Sequence, residues 1–351
     1  MSHRIPLRLV ALAVGLLIAG YSEGKPRKVI VPPPPPPPPA PSITLAPRLV
    51  SMASAYRAYM IRATGITPDF ADGPAVARSL QTGAAYEPDQ MVRGAMAYAA
   101  VVALQDKTFV DSVRVYVKDR TQRQQIAYEL LKDPAYVLGI PGAQDAAGLV
   151  VATLGSEAQA LYDDGKRVKQ AAYDIQKQPW SKTDVADRDA RLSGAKQLSS
   201  AAMLADVTET TRLSQAAVGA APMSLAPNAA APPYTPTVVR GLAIAALAAL
   251  GEAGDANVDT VLGLMNEPNV GRCMTMAKLN LYQCLAVARP HYEDVFCLGQ
   301  HGMMDTGRCM IKASGLTEPV EARFVPDAKS IARSYVPKKP PPPKKKARRK
   351  A

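Results

Sequence analysis

The chain has 351 residues, of which 48% are hydrophobic and only 5% aromatic, and its formal net charge is +12. Residues 336–351 contribute +8 of that charge and residues 1–28 contribute +4, so residues 29–337 carry no net charge. This distribution excludes a body that is itself basic. A polyanionic partner would therefore be bound by the ends of the chain.

The N-terminus has the layout of a secretory signal peptide. Arg4 and Arg8 precede a nearly continuous apolar run, residues 9–19, and small residues follow. The run has about 11 residues, whereas a transmembrane helix needs roughly 20. We therefore expect residues 1–20 to be a signal peptide and the chain to be exported.

The end of this run resembles the lipobox of bacterial lipoprotein precursors. Ile18, Ala19 and Gly20 match its first three positions, but Tyr21 stands where the lipidated cysteine would be. The resemblance implies an exported, lipoprotein-like protein, without identifying a family. Because thioether lipidation needs a thiol, we expect this chain to carry no lipid, and cleavage after Gly20 by the ordinary signal peptidase is compatible with the sequence.

Residues 21–47 are predicted to be a disordered, proline-rich spacer. Eight consecutive prolines, residues 32–39, favour a polyproline II rod that rises roughly 3.1 Å per residue and spans about 25 Å. Such a rod would hold a folded body away from a membrane or wall. Recognition of the run by an aromatic-lined groove in a partner domain is the alternative.

The residues between the two ends predict an all-α fold. Apolar residues recur at steps of three and four, alanine is abundant, and alternating β-branched runs are few. The predicted helices are 48–64, 73–83, 88–105, 107–118, 120–132, 143–177, 183–217, 236–252, 257–265, 270–288 and 292–300.

The middle of the chain, residues 143–218, is predicted to be a long helical hairpin. Pro179 ends the helix 143–177, and Ser181 with Asp184 resembles a capping arrangement before the helix 183–217. Residues 219–233, rich in proline and alanine, are predicted to be a linker between domains.

An internal repeat divides the rest into two units, 48–142 and 234–335. The sequence YEPDQMVRG at 86–94 matches YTPTVVRG at 234–241, and VDSV at 110–113 matches VDTV at 258–261. The prolines of both copies suit the first turn of a helix. The unit is therefore predicted to be duplicated, with the hairpin inserted between the copies.

The repeat also predicts two structural ion pairs across helix corners. Arg93 would pair with Asp111 in the first copy, and Arg240 with Asp259 in the second. Two arginines that line an anion pocket are the alternative interpretation.

The four cysteines lie in the last quarter of the chain, where an even number in an exported protein favours disulfides. A turn near residues 289–290 would fold two helices back on each other, and this favours nested pairs, Cys273 with Cys309 and Cys284 with Cys297. This architecture is similar to twin cysteine-x9-cysteine hairpins. A Cys297–Cys309 pair stays open, as does a zinc site formed by Cys284 and Cys297 with His291 and His301.

The C-terminal tail, residues 336–351, is predicted to be disordered and to bind an anionic surface. In an exported protein that surface would be phospholipid, lipopolysaccharide or an acidic wall polymer. A nucleic-acid arm in a cytoplasmic chain and a merely solubilising tail are the alternatives. The expected binding residues are Lys338, Lys339, Lys344, Lys345, Lys346, Arg348, Arg349 and Lys350.

The sequence carries no convincing catalytic signature. SGAK at 193–196 matches the Ser-x-x-Lys of penicillin-binding acyl transferases, but its partner motifs are missing. We expect a non-enzymatic cell-envelope scaffold or protein-binding module with an unknown protein partner, no cofactor, no metal and no small-molecule substrate. The alternatives are a nucleic-acid-associated protein and an unrecognised envelope hydrolase, which would need a cleft with perturbed carboxyl groups.

Overall fold

Helices make up nearly all of the regular structure in the part of the chain that the computed structural model describes, residues 40–226 and 229–320. Thirteen α-helices and no strand occur among these residues, which confirms the all-α prediction. They are α1 (Pro47–Thr64), α2 (Gly73–Ala84), α3 (Pro88–Ala103), α4 (Lys107–Arg114), α5 (Arg120–Lys132), α6 (Ala143–Asp174), α7 (Arg188–Ser200), α8 (Val207–Ala217), α9 (Pro236–Leu250), α10 (Val258–Leu264), α11 (Pro268–Val287), α12 (His291–Cys297) and α13 (Asp305–Ser314).

Two alanine-rich helices, α3 and α9, pack against each other at the centre of the fold. Twelve of the 16 residues of α3 and 12 of the 15 of α9 are buried, as expected for helices that are apolar on every side. Helix α1 covers α3, α4 and α5 cover α9, and α6 crosses both. As predicted, Pro88 and Pro236 open these helices. The side chains of Glu87 and Thr235, which the sequence analysis did not identify, cap them.

The arginine–glycine pairs of the repeat place a glycine at each of two close helix crossings. A Cβ atom on Gly94 would lie 2.7 Å from the Met52 carbonyl oxygen of α1. A Cβ on Gly241 would lie 2.5 Å from the Cβ of Ala99 on α3. Glycine is thus required where α1 meets α3 and where α3 meets α9. The duplication itself stays a prediction.

The longest helix, α6, packs along a continuous helical segment formed by α12, a π-helical turn (Leu298–Met304) and α13. This segment continues past residue 300, where the predicted helix ended. Gly299 permits the contact, since a Cβ there would lie 2.4 Å from the backbone nitrogen of Lys169. Gly307 permits a second close contact with α6, since a Cβ there would lie 2.8 Å from the backbone nitrogen of Tyr162.

The predicted helix 183–217 is wrong, because two helices, α7 and α8, occupy its place. The Ser181 hydroxyl donates backwards to the carbonyl oxygens of Ile175 and Gln178, and Asp187 caps α7 instead. Residues 201–206 are not helical, and Asp206 caps α8 while its backbone bonds to Ser54 of α1. Helix α7 packs on α2 and α11, and α8 packs on α1 and α3. The predicted hairpin with α6 is therefore not formed, and each of the two helices packs at a different place in the fold.

The two predicted repeat units share one core within the described residues from 40 onward. Within the predicted linker, Met223 and Leu225 pack against that core, and the backbone N–H of Met223 donates to Gln105. The described residues 219–226 therefore do not separate two folded parts. Among the described residues, no helix has both the length and the apolar character needed to cross a membrane. The predicted signal peptide 1–20, the proline run 32–39, residues 321–335 and the tail 336–351 lie outside the described residues.

Candidate functional site

All four cysteines are paired, Cys273 with Cys309 and Cys284 with Cys297. The Cα atoms are 5.7 and 5.6 Å apart, within the ordinary range for disulfides. This is the nested pairing that the sequence favoured, and the alternative Cys297–Cys309 bond is not formed. The disulfides join α11 to α12 and α13, and they indicate an oxidising, exported environment.

The alternative zinc site lacks free thiol ligands, because Cys284 and Cys297 are bonded to each other. His301 contacts Asp305, with Nδ1 2.8 Å from a carboxylate oxygen, and His291 lies beside Trp180. The described residues contain no group of three or more histidine, cysteine or carboxylate side chains placed to hold a metal ion.

The predicted corner pairs Arg93–Asp111 and Arg240–Asp259 are wrong. Asp111 pairs with Lys107, one turn before it on the exposed face of α4. Asp259 is 89% exposed and lies 3.2 Å from Arg48 of α1. Arg93 is exposed, and Nη1 of Arg240 is buried without a hydrogen-bond partner among the described residues. Asp111 therefore pairs with a residue one turn away on its own helix, and Asp259 with a residue of α1. The repeated sequence motifs indicate neither partner.

A largely buried ionic network joins four helices, α1, α3, α6 and α8. Arg57 of α1 pairs with Glu157 of α6 and, at 3.2 Å, with Glu209 of α8. Tyr98 of α3 donates to Glu157 at 3.1 Å, and its ring lies 5.2 Å from the Arg57 guanidinium. Burial raises the pKa of Glu157, and the charge of Arg57 offsets this only in part. With every charge facing a partner, the network fixes the relative placement of the helices.

Lys278 of α11 is a second buried ionisable group, with 3% of its surface exposed. Its Nζ donates to the carbonyl oxygen of Ala84, the last residue of α2, at 2.6 Å and lies 3.3 Å from the centre of the Tyr86 ring. Burial lowers the pKa of Lys278 well below its ordinary value. Ser199 donates to the same Ala84 oxygen at 3.0 Å, so the group closes the end of α2 against α7 and α11.

The carboxyl group of Asp294, on α12, has a pKa raised to about 6. Burial is the main cause, and the ion pair with Arg191 of α7 offsets it in part. Arg191 also donates to the Leu285 carbonyl at the end of α11, so this pair ties α7 to the disulfide hairpin. Neither Asp294 nor Glu157 lines either of the two depressions described next.

Two surface depressions flank the C-terminal end of α6. The first, which we call the polar cleft, has a volume of about 790 Å³ and lies between Asp69 and Phe70 on one side and Arg167, Asp174 and Trp180 on the other. It is open, and its walls mix carboxylates and amides with two aromatic rings.

The second depression, which we call the aromatic groove, has a volume of about 370 Å³ and lies where α6 meets the turn between α11 and α12. The rings of Tyr173 and Phe296 meet edge to face with centroids 6.2 Å apart. Tyr173 is 51% exposed and Val287 is 75% exposed. The groove is lined by Tyr173, Cys284, Val287, Tyr292, Glu293 and Phe296, among others.

The sequence did not predict the aromatic groove, because it forms between residues more than 100 positions apart along the chain. The available signal was the apolar character of Val287 and Tyr292 on both sides of the turn at residues 289–290. The surface-binding residues that the sequence did predict, residues 338–350, lie outside the described residues.

The geometry defines a disulfide-stabilised, all-α protein with an exposed aromatic groove. Comparison of the chain with models of protein families, with curated proteins and with solved structures gave no match.

Proposed function

We propose that this protein is exported to the cell envelope and acts there as a non-enzymatic helical scaffold or protein-binding module. The observation that carries this proposal is the pair of disulfides within one helical core. Such bonds form and persist in oxidising compartments and are rare in a reducing cytosol. The signal-peptide pattern of residues 1–20 supplies the route, and the proline run 32–39 serves as a stand-off from the envelope.

The tail attaches the protein to anionic surfaces of the envelope. Eight basic residues lie within residues 338–350, whereas residues 29–337 carry no net charge. Each basic residue near an anionic membrane contributes about 1 kcal/mol of attraction, so the tail can hold the protein without lipid.

Vesicle binding tests the attachment. The full chain is compared with a variant in which the eight basic residues of 338–350 are changed to glutamine, using vesicles of phosphatidylglycerol and phosphatidylcholine. We expect the variant to bind more than a hundredfold more weakly, since several kcal/mol of attraction is removed. Binding of the unmodified chain should also fall with added salt.

A matched control changes the prolines of residues 32–39 to serine and leaves every charge in place. This control should bind the vesicles as the unmodified chain does. Equal binding by the glutamine variant, or equal binding of the unmodified chain to vesicles of phosphatidylcholine alone, would contradict attachment by the tail.

A further inference from the structure

We infer that the aromatic groove is a docking site for a segment of this chain's own tail, residues 337–346, which read PKKPPPPKKK. This inference goes beyond the proposed function, because docking does not depend on export or on an anionic surface. It rests on the chemistry of the groove, on charge complementarity and on the reach of the chain.

The groove has the chemistry that proline-rich segments bind. Three aromatic side chains, Tyr173, Tyr292 and Phe296, line it, and half of the Tyr173 surface is exposed. Grooves lined by aromatic rings bind proline runs because the runs are already extended and lose little conformational entropy on docking. The prolines of residues 340–343 supply compact apolar rings.

The groove is also held in place before anything binds. The Cys284–Cys297 disulfide joins α11 to α12 within its wall. The backbone N–H of Arg289 donates to Oε2 of Glu293 at 2.8 Å and orients that carboxylate. A pre-organised site pays less for ordering its side chains when a segment docks.

Charge selects the tail as the occupant. Among the described residues that line the groove, Glu293 is the one charged side chain, and its Oε1 accepts no hydrogen bond from the described part of the chain. The tail prolines are flanked on both sides by lysines that can reach this carboxylate. The aromatic surface already accommodates an ammonium group, since Nζ of Lys169 lies 5.8 Å from the centre of the Phe296 ring.

The chain is long enough for the tail to reach its own groove. Leu316 packs against Gly155 of α6, and Tyr173 lies 18 residues further along the same helix, about 27 Å away at 1.5 Å per residue. Residue 340 follows Leu316 by 24 residues, which can span up to about 80 Å. The other proline run, residues 32–39, lies between Val31 and Ala40, and no lysine adjoins it, since Lys28 is four residues before Pro32.

Zero-length crosslinking of the full, disulfide-intact chain with a carbodiimide tests the docking. The reagent joins a carboxylate to an amine in direct contact, and mass spectrometry of the digested protein identifies the joined residues. We expect a crosslink between Glu293 and a lysine of residues 344–346. Its yield should not depend on protein concentration, because both groups belong to one chain.

Two variants separate docking from charge attraction alone. Tyr173→Ser removes one ring of the groove, and serine at residues 340–343 removes the tail prolines while it keeps every lysine. Each should lower the crosslink yield about tenfold, the loss expected for one aromatic contact. Tyr128→Ser is the matched control, because Tyr128 of α5 is 58% exposed and lies outside the groove.

Three outcomes would overturn the inference: no crosslink to Glu293, a yield that rises with protein concentration, or a yield unaffected by both variants. Failure of vesicle binding would leave these measurements unchanged, so the docking and the surface attachment are tested separately.

Discussion

Gly241 shows how a single residue sets the distance between the two central helices. A Cβ at this position would lie 2.5 Å from the Cβ of Ala99, and neither group can move aside by rotating a side chain. Gly194 of α7 is a helical glycine of the opposite kind, since a Cβ there would meet nothing within 4 Å.

We therefore expect Gly241→Ala to lower the free energy of unfolding by about 1–3 kcal/mol through overpacking. Gly194→Ala should raise it by up to about 1 kcal/mol, because alanine favours a helix where space is open. Urea unfolding with the disulfides intact measures both. A stabilising effect of alanine at position 241 would contradict the close crossing of α3 and α9.

Asp294 provides a pH-dependent test at the same scale. Its pKa is about 6 in the folded protein and about 3.8 in the unfolded chain, so the folded state binds the proton more tightly. The stabilisation from this proton is complete below about pH 4 and is lost as the pH rises through 6. Relative to Asp294→Asn, the free energy of unfolding should fall by about 2–3 kcal/mol between pH 4 and pH 7.

Denaturant unfolding of both proteins at several pH values measures this difference. Parallel pH profiles for Asp294→Asn and the unmodified chain would show that burial does not raise the pKa of Asp294 and would contradict its placement between α7 and the disulfide hairpin.

At the scale of elements, local signals predicted where helices begin, whereas long-range packing decided how far they continue. Prolines placed the starts of α3 and α9 correctly, and α5 was predicted residue for residue. The helix 183–217 was wrong because Ser181 bonds to the preceding turn and Ser54, far away in sequence, holds Asp206 outside a helix. The Ser181 contacts are local, but the sequence pattern assigned this serine to the start of the next helix. The contact with Ser54 has no local sign in the sequence.

The same distinction explains which parts of the candidate site could be predicted. The cysteine pairs followed from a turn between two neighbouring helices, which is a local feature. The partners of Arg93 and Arg240 depend on how each helix is rotated in the core. The aromatic groove depends on the end of α6 meeting a turn that lies more than 100 residues later.

The two disulfides, which join α11 to α12 and α13, lead to a prediction about the free energy of unfolding. Cys273–Cys309 closes a separation of 36 residues and Cys284–Cys297 one of 13. Because loop-closure entropy grows with length, changing both cysteines of the first pair to alanine should cost about 4 kcal/mol of unfolding free energy, and of the second about 3 kcal/mol. Urea unfolding of the two double variants checks the order. If the urea midpoint of either variant equalled that of the unmodified chain, the corresponding disulfide would not be formed in the native protein.

At the scale of the whole molecule, charge and core are separated along the chain. The described helices form one core, in which α3 from the first predicted repeat packs on α9 from the second. The net positive charge lies at the two ends, and residues 29–337 are neutral. This arrangement suits a body that is held at an anionic surface by its terminus.

The central claim is that the protein is exported and carries both disulfides, and the intact mass of the native protein from fractionated cells tests it most directly. The proteins of each fraction are treated with iodoacetamide, with and without prior reduction. We predict a periplasmic species that lacks residues 1–20 and takes up alkyl groups only after reduction, one on each of the four cysteines. A full-length cytoplasmic species alkylated without reduction would contradict the claim and would make nucleic acid the expected partner of the tail.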